Sequence, residues 1–120
     1  MAIIDNWKLV VLERYAKFDG RAGQGEFWWY YLANLIIAVV LGVLAAAIHW
    51  VFWLIFVVYA LSIIIPTVAV SIRRLHDTDK SGWWMLISFV PFGGLVLLVF
   101  YVMSGSPHQN RYGDAPAPAA

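Results

Sequence analysis

Apolar residues fill two long stretches of the chain, and polar residues gather in three short blocks around them. No Asp, Glu, Lys or Arg occurs in 27–72 or in 81–110. The first stretch holds 46 residues. A helix crosses the hydrocarbon core of a bilayer in about 20 residues, so this stretch suffices for two crossings and a tight turn. The turn is expected at His49 and Trp50, which divide the stretch into spans 27–48 and 51–72. The second stretch contains an apolar run, 83–103, long enough for a third span. All seven tryptophans (Trp7, Trp28, Trp29, Trp50, Trp53, Trp83 and Trp84) fall outside or near the ends of these spans. Indole is amphipathic and prefers the headgroup level, so this placement supports the division.

Two of the spans carry a proline. Pro66 frees the carbonyl of Ser62 and is expected to bend the second helix. Pro91-Phe92-Gly93-Gly94 sits in the middle of the third run. That run reads either as a kinked span or as a re-entrant hairpin. The kinked span is preferred, because each arm of a hairpin would have only about nine residues, too few to cross.

Ahead of the first span, residues 3–18 have helical periodicity. Ile3, Ile4, Trp7, Val11, Tyr15 and Phe18 share one face, opposite Asp5, Asn6, Glu13 and Lys17. Leu9 and Leu12 break the stripe, and Arg14 falls on the apolar side, where its stem would let it snorkel. The pattern predicts an interfacial helix lying flat on the cytoplasmic leaflet. Residues 104–120 are rich in Gly and Pro and predict a flexible tail, mobile from Asp114 onward. The expected architecture is an all-α integral membrane protein, one membrane domain over 1–116. It has a short N-terminal amphipathic interfacial helix and three transmembrane helices.

Composition agrees with this class. The chain is 62% apolar and 12% charged, where a soluble domain carries about 25% charged residues. Fifteen fixed charges could not cover the surface of a soluble domain of this length. An ordinary soluble enzyme, a disordered segment and a disulfide-rich module are excluded; there is no cysteine. No signal-peptide pattern is present, because the first long apolar run begins only at Phe27, behind eight charges of mixed sign, and the first span is expected to remain as an anchor.

The basic residues set an orientation. The N-terminal block holds Lys8, Arg14, Lys17 and Arg21; the loop after the second span holds Arg73, Arg74 and Lys80; the tail holds Arg111. With the N-terminus in the cytoplasm and the C-terminus in the periplasm, seven lie inside and one outside.

Polar and small residues within the spans suggest packing rather than transport. Asn34, Ala38, Gly42 and Ala46 recur at every fourth position and form a candidate helix-packing face, against the second helix or another copy of the chain. Thr67 and Ser71 can hydrogen-bond locally. No charged side chain lies within a span, whereas proton-coupled carriers place such groups at depth. Three short spans are too few for an inverted-repeat carrier, and no internal repeat is present.

The densest polar segment is Arg73-Arg74-Leu75-His76-Asp77-Thr78-Asp79-Lys80-Ser81-Gly82. A His beside an Asp invites a metal or acid–base reading, but a metal needs three or four converging ligands. In this topology His49 and His108 lie across the membrane. Only His76, Asp77 and Asp79 remain near one another, with Glu26 or Asp19. No catalytic, metal or cofactor-binding residue is assigned. Arg73 and Arg74 suit topology and anionic headgroups, each contributing about 1 kcal/mol near the surface. The sharper expectation is a polar cluster of Arg21, Glu26, Arg73, Arg74, His76 and Asp77. In it Arg21 pairs with Glu26, and Arg73 or Arg74 with Asp77. The planar guanidinium fork binds carboxylates or phosphates with two bonds, so the cluster could also hold a lipid phosphate. Nucleic acid is not an expected partner at a net charge of +1.

Three segments together resemble a known family: Phe18-Asp19-Gly20-Arg21 through Glu26-Phe27-Trp28; Arg73-Arg74-Leu75-His76-Asp77 through Ser81-Gly82-Trp83-Trp84; and Gly105 through Asn110-Arg111-Tyr112-Gly113. In this order and spacing they are similar to the small bacterial inner-membrane proteins grouped as domain-of-unknown-function family 805, the YhaH/YhaI-like proteins. The resemblance implies a location in the bacterial inner membrane and several spans, and it implies no established activity. The leading expectation is a non-enzymatic membrane protein. It would act through helix packing, the anionic headgroups of the bilayer, or a larger membrane partner or homo-oligomer. One alternative is a subunit of an oligomeric channel or transporter, with Asn34, Ser62, Thr67 and Ser71 facing a shared pore. Another is a membrane enzyme on a lipid-linked substrate, using His76 and Asp77.

Overall fold

A computed structural model describes residues 1–113. The flexibility expected from Asp114 onward lies outside the described residues. The described chain is helical, in the order α1 (Ala2–Lys8), a π-helical turn (Leu9–Glu13), α2 (Gln24–Ala47), α3 (Val51–Ser62), α4 (Ile64–Asp77), a 3-10 helix (Gly82–Phe89) and α5 (Gly93–Val102).

Helix α2 has 24 residues and is long and apolar enough to cross a membrane. Gly23, in extended conformation, precedes its first turn, where Glu26 faces the positive end of the helix dipole. The chain reverses at His49 and Trp50. There the His49 ring nitrogen Nδ1 accepts the Val51 N–H at 3.1 Å and so caps the first turn of α3.

Helices α3 and α4 follow one another with a bend of 46°. Pro66 is the cause: it has no N–H to give the Ser62 carbonyl. The Tyr15 hydroxyl, from the loop after the π-helical turn, donates to that carbonyl instead, at 2.8 Å.

The run 83–103 is not one helix. Val90 is extended (φ −93°, ψ 140°), as a residue before proline is driven to be. Phe92 is left-handed at φ 65°, and the Gly93 N–H closes the turn on the Val90 carbonyl at 2.8 Å. A Cβ on Gly93 would overlap the Ile87 carbonyl, so only glycine fits there. Helix α5 then returns beside the 3-10 helix, with Trp84 and Phe100 edge to face at 5.3 Å and Lys80 Nζ 4.7 Å above the Phe100 ring. The kinked third span is therefore corrected to a hairpin. Periodicity and hydropathy are the same for both readings, and the Pro91–Gly93 turn decides between them.

The hairpin brings residues 103–113 back to the end at which α2 begins. The loop before α2, which holds Arg21, meets residues 103–113 there. Residues 104–113 are held by the side chains described below.

The N-terminal helix also departs from expectation. It runs through α1 and the π-helical turn, and the chain leaves helical geometry at Arg14 (φ −125°, ψ 37°), short of residue 18. It is antiparallel to α2: Arg14 meets Glu26, and Ile3, Ile4 and Trp7 border a groove with Ala33, Ile36 and Ile37. It thus runs along the side of α2 rather than flat across its end. Val10 is fully buried, with Ala22, Phe27, Tyr30 and Val70, beneath Trp7, Val11, Trp28 and Tyr101. Elsewhere the apolar side chains point outward. Leu35, Val39, Val43, Val58, Leu61, Leu95 and Val99 are all more than half exposed, a continuous apolar surface far beyond what a water-soluble monomer carries.

Candidate functional site

The only dense group of charges among the described residues lies where the loop before α2 meets the last turn of α4 and residues 101–113, and most of it is buried. It has two halves. In the first, Asp77 is shared between two arginines. Arg21 Nε donates to Oδ1 at 3.0 Å, with Nη2 2.9 Å from the same oxygen, and Arg74 Nη1 donates to Oδ2 at 2.6 Å. In the second, Glu26 is shared in the same way: Arg14 Nη1 donates to Oε1 at 2.7 Å, and Arg73 Nη1 donates to Oε2. Main chain joins the halves through the Ala22 N–H, which donates to the Arg73 carbonyl at 3.0 Å.

Position on α4 creates this arrangement. Arg74 and Asp77 sit in its last turn, where cations are favoured by the helix dipole, and Arg73 directly precedes it. Arg74 and Asp77 are three residues apart and share a face. Arg73 points the other way, toward the first turn of α2 and Glu26. Both arginines have no exposed surface, so each charge must be matched by a carboxylate and by hydrogen bonds.

The second task of the arginines is to hold the C-terminal segment. Arg74 donates to the carbonyls of Tyr101 (3.0 Å) and Met103, at the end of α5. Such carbonyls lack helical partners and are commonly met by a cation. Arg21 donates to the carbonyls of Ser106 (2.5 Å), His108 (2.8 Å) and Gly113 (3.2 Å). In return, the Ser106 N–H donates to the Asp77 carbonyl at 2.7 Å, and Asn110 Nδ2 to the His76 carbonyl at 3.0 Å. An irregular segment is thus satisfied group by group.

The Asn110-Arg111-Tyr112-Gly113 motif is a tight turn. Asn110 and Gly113 exchange main-chain hydrogen bonds of 3.0 and 3.1 Å, Asn110 Oδ1 accepts the Tyr112 N–H, and Gly113 has φ 124°. The turn lays Tyr112 flat on the His76 ring, with centroids 3.9 Å apart, and sends Arg111 to Asp79 at 3.2 Å. His76 Nδ1 donates to the Gly20 carbonyl at 2.9 Å, which fixes the tautomer and leaves Nε2 as the acceptor. Burial lowers the His76 pKa below the ordinary imidazole value; the Gly20 carbonyl opposes the shift, Arg111 adds to it and Asp19 opposes it. Burial also lowers the Arg74 pKa, against the pull of Asp77 beside it.

All six residues of the expected polar cluster come together, and Arg74 is on Asp77 as expected, but the Arg21 pairing differs. Arg21 was expected on Glu26 and is on Asp77; Glu26 takes Arg73 and Arg14 instead. Arg14, Ser106 and Asn110 were not expected in the cluster. The sequence signal for Arg14 was its position on the apolar side of an amphipathic helix, where a buried partner is needed. His108 lies at the same end as His76, not across from it. Both Asp77 oxygens are engaged, and no group of three His, Asp or Glu able to hold a metal occurs among the described residues.

The polar residues of the spans are separate from this cluster. Asn34 accepts from the Tyr59 hydroxyl, which in turn accepts from Trp7 Nε1 at 2.9 Å. Thr67 Oγ1 is 2.6 Å from the Tyr30 hydroxyl, and Ser71 Oγ donates to the Thr67 carbonyl at 2.7 Å. Ser62 donates to the Tyr59 carbonyl at 2.6 Å on the exterior. The four therefore do not form one outward stripe. On the proposed packing face, Asn34, Ala38 and Gly42 are half-buried and Ala46 is exposed. A Cβ added to Gly42 would meet nothing within 4 Å, so no helix approaches closely there.

Among the described residues, an all-helical fold with an apolar exterior and a buried arginine–carboxylate cluster at one end is that of a membrane protein. Residues 15–114 match the family described as "Protein of unknown function (DUF805)". The chain is 43% identical over 111 residues to the inner membrane protein YhaI of Escherichia coli (strain K12), covering 92% of this chain and 94% of that protein. It is 40% identical over 116 residues to the inner membrane protein YhaH of the same strain, covering 92% of this chain and 96% of that one. No solved structure matches it. The chain belongs to the DUF805 family and is a bacterial inner-membrane protein.

Proposed function

We propose that this protein is multi-spanning and non-enzymatic, with its charged end at the cytoplasmic face, where it engages anionic phospholipid headgroups. Helix α2 and the bent pair α3–α4 would cross the bilayer, and the hairpin of the 3-10 helix and α5 would enter and return. The position of the tail supports this orientation. Arg111 joins the other basic residues, so the count becomes eight on one side and none on the other.

One observation carries the headgroup reading. Four guanidiniums, those of Arg14, Arg21, Arg73 and Arg74, face two carboxylates. Arg21 and Arg74 fill their remaining donors with tail carbonyls. Arg73 does not: its Nη2 is buried and has no hydrogen-bond partner among the described residues. A buried donor left unmatched costs about 1–3 kcal/mol, more when charged. Arg73 itself is closed off, but Arg14, which shares Glu26 with it, is 34% exposed, and a headgroup phosphate beside Arg14 supplies the negative charge that the group lacks. The enzyme alternative is not favoured, since Asp77 is bound by two arginines and His76 is fixed by Gly20 and Tyr112.

Lipid analysis of protein extracted in mild detergent tests the reading. Phosphatidylglycerol and cardiolipin are expected to be enriched over phosphatidylethanolamine relative to the source membrane, and the enrichment is expected to fall in Arg14→Gln. Bound lipid of the same composition as the membrane would contradict it.

A further inference from the structure

We infer that the protein is a wedge, wide in the leaflet at its charged end and narrow in the other, and that it favours membrane bent so that the leaflet at the charged end is convex. The inference rests on the multi-spanning reading and adds to it the kind of membrane surface the fold fits.

Burial divides α2 into two halves. Its buried residues, Glu26, Phe27, Tyr30 and Ala33, all lie in the half at the charged end. Helix α4 packs against that half, with Thr67 at Tyr30 and Arg73 at Glu26, and it buries nine residues. Helix α3 runs beside residues 34–47, with Tyr59 at Asn34, and it buries none. Two helices alone cannot enclose a core, so in this half Val39, Val43, Leu54 and Val58 are all more than half exposed.

The hairpin widens only the half at the charged end. Helix α5 is antiparallel to α2: the Val102 carbonyl accepts from Gln24 at the start of α2, while Gly94 and Leu98 border a crevice with Tyr31. The ten residues of α5 descend about 15 Å, and the eight of the 3-10 helix about 16 Å. One leaflet holds about 15 Å of hydrocarbon, half of the roughly 30 Å core, so the turn at Pro91 and Phe92 stops near the midplane. Phe89 and Phe92 at this tip are 86% and 81% exposed, as suits side chains that meet only the ends of acyl chains. Trp83, exposed at the mouth of the hairpin, marks the headgroup level.

One leaflet therefore contains α2, α4, the 3-10 helix and α5, and the other contains α2 and α3. At a helix diameter of about 10–12 Å, the two additional segments occupy about 160–220 Å² of one leaflet. The N-terminal helix lies along the same half, since Arg14 meets Glu26 and Ile3 and Ile4 border Ile36 and Ile37. Its Asp5, paired with the Met1 amine, is exposed at that depth. A charged side chain there draws water and headgroups inward and thins the leaflet locally. The convex side of a bend has its headgroups spread apart, so it accommodates both the extra cross-section and the charge. A second copy seated on α3 would even out the two widths and remove the preference.

Membrane tubes pulled outward from giant vesicles test this, because the outer leaflet of such a tube is convex. The full chain carries Ala16→Cys, at the charged end, or His49→Cys, at the opposite end. It is reconstituted in phosphatidylcholine alone, which removes any contribution from anionic headgroups, and is labelled from outside with a membrane-impermeant fluorescent maleimide. Only molecules with the chosen end outward then fluoresce. Ala16→Cys is expected to be at least about twofold denser in the tube than on the vesicle, and His49→Cys correspondingly sparser. Circular dichroism of each variant confirms its helical content. Equal density of each label in tube and vesicle would overturn the wedge, and so would the reverse order. Labelling of both positions on the same molecules of the doubly substituted chain would overturn the multi-spanning reading, and the wedge with it. Labelling of one position per molecule without sorting would overturn the wedge and leave that reading intact.

Discussion

Arg21 and Asp77, 56 positions apart in the chain, form a buried ion pair with Nη2 2.9 Å from Oδ1, and they tie the loop before α2 to the last turn of α4. The other Asp77 oxygen is held by Arg74. Removal of the negative charge leaves two guanidiniums facing each other in a site closed to water. Loss of one partner of a buried pair typically costs about 3–5 kcal/mol. Asp77→Asn is therefore expected to destabilise the protein by that order, read as a large fall in melting temperature in detergent. Asp77→Glu, which keeps the charge, is expected to cost less.

Gly105 sits directly against the Asp77 carboxylate, and an added Cβ would overlap it. The carboxylate cannot retreat without breaking from Arg21 or Arg74. Gly105→Ala is expected to cost about 1–3 kcal/mol, the usual penalty of forced overpacking. Proteolysis should then cut residues 104–113 faster than in the unmodified chain, while α2 stays protected.

The Tyr15 hydroxyl replaces the N–H that Pro66 cannot offer to Ser62. Tyr15→Phe is expected to cost about 0.5–1.5 kcal/mol, the net worth of one hydrogen bond. In a Pro66→Ala background residue 66 regains its N–H and can serve Ser62 itself, so the same Tyr15→Phe change should cost less. A double-mutant cycle on melting free energies measures the difference.

His76 predicts a pH dependence of known sign. Its folded pKa is lowered, chiefly by burial, from the ordinary 6.5. The unfolded chain thus takes up a proton as pH falls through 6.5 while the folded chain resists, so the unfolded state binds more protons in that window. Stability from this group is complete above that pH and declines as pH falls below it. Between pH 7.5 and 5.5 the melting temperature should drop, and His76→Gln should remove that part of the drop.

Much of this architecture is legible in the residue pattern. The charge-free stretch 27–72 contains the whole of α3 and most of α2, the reversal at His49 and Trp50 is marked by the one ionisable imidazole, and Pro66 marks the bend. The third run was harder, because a span and a hairpin have the same composition; the difference lies in the backbone of Val90, Phe92 and Gly93. The charged cluster was legible as a set and not as pairs. Arg21 and Arg74 are satisfied largely by main-chain carbonyls of 101–113, and every residue type has a carbonyl, so the sequence carries no mark of that acceptor. Once Arg21 turns to the tail and Asp77, Glu26 is left for Arg73 and Arg14.

The joining of the Arg21 loop to residues 103–113 is tested most directly by labelling from one side of the membrane. The chain has no cysteine, so single substitutions report cleanly. Ala16→Cys, His108→Cys and His49→Cys, each in intact cells and in inverted membrane vesicles, are to be reacted with a membrane-impermeant maleimide. Ala16→Cys and His108→Cys are expected to label together, in inverted vesicles only, and His49→Cys in intact cells. Labelling of His108→Cys together with His49→Cys would place the tail across the membrane from Arg21 and contradict the buried cluster that joins them.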